Sequence, residues 1–269
     1  VSTEDKLLNE LENAPETEIV GVVSAQGVTG AAHSAEDELW TLLFSFSGWR
    51  QASGVLQKSE LTIRREVTKE QLGRFQDRVA PYDVLRIRAR LSEHSVFGSP
   101  QALLINLLGK HGSDAELNAY AKELQEPVTF LDFQFGLFTL NRRLDWYEAT
   151  PGWGDNCVRL TIPADEAGRM QESLSVARTL WAAQAEWQKK ITDYAVEELL
   201  SLKNENWLED DETAVSAEEF AQRMVLEMIS IRSDGSFEFW YDDGELFWGH
   251  SIMVNGNLTD GPKDAGIHG

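Results

Sequence analysis

Residues 236–252 read Ser236-Phe-Glu-Phe-Trp-Tyr-Asp-Asp-Gly-Glu-Leu-Phe-Trp-Gly-His-Ser-Ile252. Aromatic and polar residues alternate on both sides of Asp242-Asp243-Gly244. Asp-Gly between two alternating runs signals a hairpin, because glycine supplies the positive φ that a tight turn needs. The pattern predicts strands over 237–241 and 246–254, joined at 242–245. A preceding strand over 229–232 connects through Ser233-Asp-Gly-Ser236, and Asn255-Gly256 turns the chain again toward Leu258. In this register Leu246, Trp248, His250, Ile252 and Val254 share one face. His250 then lies on an apolar stripe, the usual place of a structural histidine; a general base would need a partner as well.

Working upstream, residues 164–202 change to a helical period, with Met170, Leu174, Ala177, Trp181, Trp187, Ile191, Tyr194, Glu198 and Leu202 stepping by three or four. One helix of that length is long for a globular domain, so a break near Gln188–Thr192 or two stacked segments is expected. Residues 207–214 form an acidic loop, and Ser216 with Glu219 caps a short helix over 217–226. Phe130–Leu140 is rich in phenylalanine, Pro151-Gly-Trp-Gly154 turns, and Cys157–Ile162 is a strand. The expected C-terminal half is an antiparallel β-meander packed on a long helical segment.

The N-terminal half reads differently. A short helix over 3–13, with Leu7, Leu8 and Leu11 on one face, precedes strands over 18–26, 39–49 and 61–67. Thr68 and Gln71 open a helix to about Val79, strands follow over 84–92 and 102–108, and Ser113 with Glu116 caps a last helix. Three strands, a helix, two strands and a helix match the connectivity of an OB-type five-stranded barrel. Arg86, Arg88 and Arg90 alternate with Leu85, Ile87, Ala89 and Leu91, and with Arg64 they form a water-facing stripe. Trp40, Phe44 and Phe46 share their phase with Leu42 and read as core, so the arginines lack the exposed aromatics on which bases stack. Glu126-Pro127 marks the boundary. The fold class is α+β in two domains, 1–128 and 129–269.

Charge divides along the same line. The chain carries −21 overall, with 13 Lys/Arg against 19 Asp/Glu in residues 1–128 and 11 against 26 in residues 129–269. Such a field repels nucleic acid and anionic membranes and speeds encounter with a basic partner, although it also serves solubility alone. One cysteine, Cys157, permits no intrachain disulfide. With no secretory signal and no apolar run long enough to cross a bilayer, the expected setting is the cytoplasm.

The C-terminal half resembles a bacterial family known only as domain of unknown function 2262. The resemblance rests on Phe135-Gly-Leu-Phe-Thr-Leu-Asn-Arg142, the Trp181/Trp187 helix, Asp234-Gly-Ser-Phe-Glu-Phe-Trp240, Asp243-Gly-Glu-Leu-Phe-Trp-Gly-His-Ser-Ile252 and Asp264-Ala-Gly-Ile-His-Gly269. It implies a domain boundary and a bacterial setting, and no activity. Residues 1–128 lie outside it.

Catalytic and metal signatures do not emerge from the residues. Gly249-His-Ser251 is not a nucleophile elbow, since Met253 stands where glycine is needed. Asp234, Ser236, Glu238 and Glu245 fit part of a calcium loop but lack its turn glycine. The five histidines (His33, His94, His111, His250 and His268) have no zinc spacing. No metal and no cofactor is expected. The leading reading is a cytoplasmic protein-binding protein, an immunity protein that neutralises a basic toxin or nuclease. Its docking residues are Trp207, Glu209, Asp210, Asp211, Glu212, Glu218 and Glu219, with Glu205 beside them. A hydrolase with Asp242, Asp243, Glu245 and His250 in a cleft is the alternative, as is an adaptor using the N-terminal barrel. Nucleic acid and membrane are not expected partners.

Overall fold

The computed structural model describes residues 2–32, 38–51, 54–209 and 212–269. The chain divides into two compact units, Val1–Glu126 and Pro127–Gly269.

In the first unit, helix α1 (Thr3–Asn13) is followed by strands β1 (Glu16–Val23), β2 (Thr29–Ala31), β3 (Leu39–Gln51) and β4 (Leu61–Thr68). Helix α2 (Lys69–Arg78), strands β5 (Val84–Ser92) and β6 (Gln101–Lys110) and helix α3 (Ala115–Gln125) complete it. The order β1-β5-β6-β4-β3 closes on itself because β1 also pairs with β3, so five strands form a ring. Only β4 and β6 run parallel within it. Alternation turns Phe44, Phe46, Ile63, Ile87 and Ala89 inward, where they are buried together. Gly21 is required there, since a Cβ would meet the Phe46 ring at 2.3 Å. The Thr68/Gln71 capping box is present on α2. For α3 the cap is Asp114 rather than Ser113, its carboxylate accepting from the Leu117 N–H at 3.1 Å.

The arginine face is closed by the unit's own carboxylates. Glu18 accepts from Arg86 and Arg88, and Glu16 from Arg90 at 2.9 Å. Arg64 departs from the expected water-facing stripe. It is buried and held by Glu4 and by Gln101, because α1 covers that part of the sheet.

The second unit is built on one eight-stranded sheet. Its strands are β7 (Thr129–Asp132), β8 (Gly136–Asn141), β9 (Trp146–Ala149), β12 (Arg159–Pro163), β13 (Val225–Ile231), β14 (Ser236–Asp242), β15 (Ser251–Asn257) and β16 (Gly261–His268). A separate small hairpin joins β10 (Gly152–Trp153) to β11 (Asn156–Cys157). The eight-stranded sheet runs β16-β15-β14-β13-β12-β9-β8-β7. Four antiparallel strands, β13 to β16, replace the expected three-stranded meander, and β12 with β13 is a parallel pair. A parallel pair demands a long crossover. It is supplied here by α4 (Met170–Ala182), α5 (Gln184–Asn206) and α6 (Ala217–Arg223). Trp153, Leu180, Trp187, Ile191, Phe237, Phe239 and Tyr241 meet in the resulting core.

Several local expectations are corrected. The helix breaks at Ala183 (φ −129°, ψ 38°), not at Gln188–Thr192. The buried face of α5 is Trp187, Ile191, Ala195, Leu199 and Lys203, a run of fours from Trp187 that passes beside Tyr194, Glu198 and Leu202. Helix α6 stops at Arg223, and β13 begins two residues later. The turn after Trp153 falls at Gly154-Asp155. Asn255-Gly256 lies inside β15, where Gly256 is needed because a Cβ would meet the Gly261 carbonyl at 2.3 Å.

The largest correction concerns residues 243–250, which form no strand. They make a wide connection between β14 and β15, and the second strand starts at Ser251 instead of Leu246. Leu246 and Phe247, adjacent in sequence, are both fully buried, so the alternation that placed His250 on an apolar stripe does not exist.

Candidate functional site

Asp243 organises this connection. Its side chain is buried, with one carboxylate oxygen accepting from the Glu245 N–H at 3.1 Å and the other from the Phe247 N–H at 2.5 Å. A carboxylate bridging two backbone donors holds a loop more firmly than a neutral acceptor would. Asp242, exposed at the end of β14, accepts from the Gly244 N–H at 2.9 Å. Gly244 (φ +54°) has no room for a side chain, since a Cβ would meet the Arg223 carbonyl at 2.4 Å. Arg223 in turn donates to the Gly244 carbonyl at 2.8 Å, tying α6 to the connection. Glu245 (φ +66°) and Trp248 (φ +59°) also take left-handed backbone, which is costly for residues with a Cβ and persists where surroundings impose it.

The outcome is an aromatic cluster. Phe247 points inward against Phe220 and Trp207. Trp248 is 54 % exposed and packs against Trp207 with ring centroids 4.7 Å apart. His250 meets the same Trp207 edge-on at 5.4 Å. Its Nδ1–H donates to the Phe247 carbonyl at 2.6 Å, which leaves Nε2 as the acceptor of the neutral ring. Asp243 spends both oxygens on backbone donors and Asp242 turns to Gly244. Neither carboxylate reaches His250, so the arrangement holds no carboxylate–histidine dyad. Glu245 is exposed on the same connection.

Below Trp207 lies a second polar device. Lys203 is completely buried; its Nζ donates to the Trp207 carbonyl at 2.8 Å and to Glu212 Oε2 at 2.6 Å. The same Glu212 oxygen accepts from the Glu209 N–H at 3.2 Å, and Oε1 accepts from Arg223 at 3.3 Å. The ammonium of Lys203 holds the Glu212 carboxyl below its ordinary range. Glu212, expected as a docking residue, is thus engaged within the domain, where it clamps Lys203, the Glu209 backbone and Arg223 together. Asn204 reinforces the clamp by exchanging hydrogen bonds with the backbone of Val215 at 2.8 and 3.0 Å.

Of the other expected docking residues, Glu205 and Glu209 are exposed. Glu218 and Glu219 are exposed in the first turn of α6, which Ser216 caps by accepting from the Glu219 N–H at 3.2 Å. Asp210 and Asp211 lie outside the described residues. The structure thus brings Trp207 together with His250, two residues read from separate stretches, and adds Lys203, Arg223, Phe247 and Trp248. A signal for Lys203 was present: it continues the run of fours from Trp187, and a lysine on a buried stripe requires a partner. Among the described residues no group of three or more His, Cys, Asp or Glu is placed to hold a metal, and no helix is long and apolar enough to cross a membrane.

A family model matches residues 132–267, half of the chain and all of this cluster. The chain belongs to DUF2262, described as uncharacterized proteins conserved in bacteria. A second model, DUF7021, a domain of unknown function, matches residues 3–124 and so covers the ring of five strands. No curated protein and no solved structure matches the chain. The DUF2262 match includes the loop-forming residues Asp243, Gly244 and Trp248, and both halves of the Lys203–Glu212 clamp.

Proposed function

We propose that the DUF2262 domain is a protein-binding module that holds a basic partner on the face around Trp207 and Trp248. A bacterial toxin or nuclease kept inactive in the cytoplasm is the partner class that this chemistry suits. The observation that carries the reading is Trp248: a tryptophan more than half exposed, on a loop pinned from beneath by Asp243, Arg223 and Trp207. A large aromatic side chain presented on a rigid loop is the type of group that anchors interfaces. Exposed Glu205, Glu209, Glu218, Glu219 and Glu245 supply negative charge on the flanking segments. Charge of this kind raises association rates, and the aromatic anchor slows dissociation.

The five-stranded ring is read as a small OB-type barrel serving as a separate adaptor. Its strand order and its parallel β4–β6 pair support the OB-type topology. Retention of a basic protein from bacterial lysate at low salt tests the proposal, with Trp248→Ala and a Glu209/Asp210/Asp211 neutralised variant as comparisons. Retention that ignores salt and both variants contradicts it.

A further inference from the structure

Strands β12 and β13 run parallel but do not start together. Their pairing begins with Arg159 opposite Met228. Val225 and Leu226 therefore pair with β14 on one side and, among the described residues, have no strand neighbour on the other, and Glu227 sits at the bulge that follows. The segment preceding β12 is drawn away, because Asn156–Cys157 pairs with Gly152–Trp153 and the Val158 N–H donates to the Pro151 carbonyl at 3.0 Å. A cleft of about 480 Å³ opens where the two segments diverge, reached by Val158 from one side and by Met224, Val225 and Leu226 from the other.

The polar lining is made of carboxamides: Asn156, Gln184, Gln188 and Gln222, with Asp155 as the one charged group. Two of the carboxamides are held in place. Gln188 accepts from Trp153 Nε1–H at 2.9 Å and donates to Thr192 Oγ1 at 3.0 Å and to the buried Tyr241 hydroxyl at 3.4 Å. Burial pushes the Tyr241 hydroxyl far above its ordinary range, so it stays protonated and neutral. Gln184 accepts from the Gly154 N–H at 3.0 Å. Trp153 is not a stacking platform, since it is buried and its ring is met edge-on by Trp181 and Phe239. A flat aromatic ligand has no open ring face there. Gln188 spends both N–H groups on Thr192 and Tyr241, and Gln222 donates to Glu218 Oε1 at 3.3 Å, so these two carboxamides present their carbonyl oxygens to a peptide N–H, and an unpaired strand edge offers a ladder for extended backbone. Val225, apolar and 53 % exposed, stands at that edge.

We propose that this cleft binds an extended, apolar peptide segment, which pairs with the free edge of β13 over Val225–Glu227 and turns an apolar side chain toward Met224 and Val158. The edge accommodates about three residues, roughly 10 Å of strand. An acidic side chain in the cleft would lose hydration without finding a cation, since Asp155 is the one charged group among the described lining residues. The site uses none of the residues of the Trp207–Trp248 face, so either can fail without the other.

The probe is the capped peptide acetyl-Ala-Val-Leu-Val-Ala-amide, titrated into the full chain. The readout is the Trp153 indole N–H and the side-chain amides of Gln184, Gln188 and Gln222, followed by NMR. The expected result is saturable shifts centred on those groups. Ala185→Trp, at an exposed position on the rim, weakens binding by about tenfold or more with the thermal midpoint unchanged, and N-methylation of all three central residues of the peptide, Val-Leu-Val, weakens it to a similar degree on the wild-type chain. The absence of shifts at millimolar peptide overturns the proposal. So does equal binding of the N-methylated peptide, which removes backbone pairing without altering the protein.

Discussion

The two units use charge in opposite ways. In the first, arginine and carboxylate are matched: across neighbouring strands Glu18 serves Arg86 and Arg88 and Glu16 serves Arg90, and from the start of α3 Asp114 with Glu116 serves Arg50. In the second, residues 129–269 hold 26 Asp/Glu against 11 Lys/Arg, so most carboxylates have no cation to meet. Of those that are matched, Asp132, Glu166 and Glu212 work inside, Glu212 with buried Lys203, whereas Asp193 with Lys189 and Glu186 with Lys190 form exposed pairs. Glu205, Glu209, Glu219 and Glu245 stand in solvent with no such holder among the described residues. Net charge therefore does not locate a binding surface. What separates an outward-acting carboxylate from a structural one is whether a buried donor already holds it.

The contrast is broken most severely at its internal members. Lys203→Met removes the ammonium between Glu212 and the Trp207 carbonyl and should cost about 2–4 kcal/mol, since it strands a partly buried carboxylate. Gly244→Ala should cost a similar amount, about 2–4 kcal/mol, through the Arg223 carbonyl and the left-handed backbone. Denaturant melts read both, and an unchanged midpoint for either shows that the loop is not pinned as described.

The clamp also has a pH signature. The Glu212 carboxyl is held below its ordinary value by Lys203 first and by the Glu209 N–H and Arg223 further on. Such a group adds stability above its unfolded pKa of about 4.3 and loses it as pH falls through the lower folded value. Glu212→Gln should therefore be less stable than wild type at neutral pH, and the difference should shrink steadily below about pH 4. A constant difference across that window contradicts the assignment.

Outward-acting groups should behave in the reverse sense. Trp248→Ala should speed dissociation of a basic partner by tenfold or more, about 1.4 kcal/mol, while barely moving the melt. Smallest of all is the first unit's exposed stripe. Arg88→Gln should shift stability by about 0.5 kcal/mol or less, because exposed ion pairs contribute little.

Legibility in the sequence followed the range of the interactions. The Thr68/Gln71 box was readable because both hydrogen bonds close within three residues. The alternation of Arg86, Arg88 and Arg90 was readable because a strand has period two. The connection at 243–250 was not. Its residues alternate like a strand, yet the Asp243 carboxylate bonds the N–H groups of Glu245 and Phe247, and local side-chain bonding of this kind competes with a ladder. The break at Ala183 carries no proline or glycine and arises where the Gly152–Trp153 hairpin is tied to Trp181 and Gln184. Glu212 looked like its acidic neighbours because nothing in the loop itself announces a lysine nine residues upstream.

The most direct test of the account compares two variants for their salt-dependent association with the basic protein retained from lysate. One neutralises Glu209, Asp210 and Asp211, and the other is Glu212→Gln. The account predicts that the triple neutralisation slows association and flattens its dependence on salt near 0.1 M, where the Debye length is about 10 Å, with the melt unchanged. Glu212→Gln is predicted to lower the melt and to leave the salt dependence as it was. The reverse assignment, with Glu212 governing association and the triple change governing stability, would contradict it.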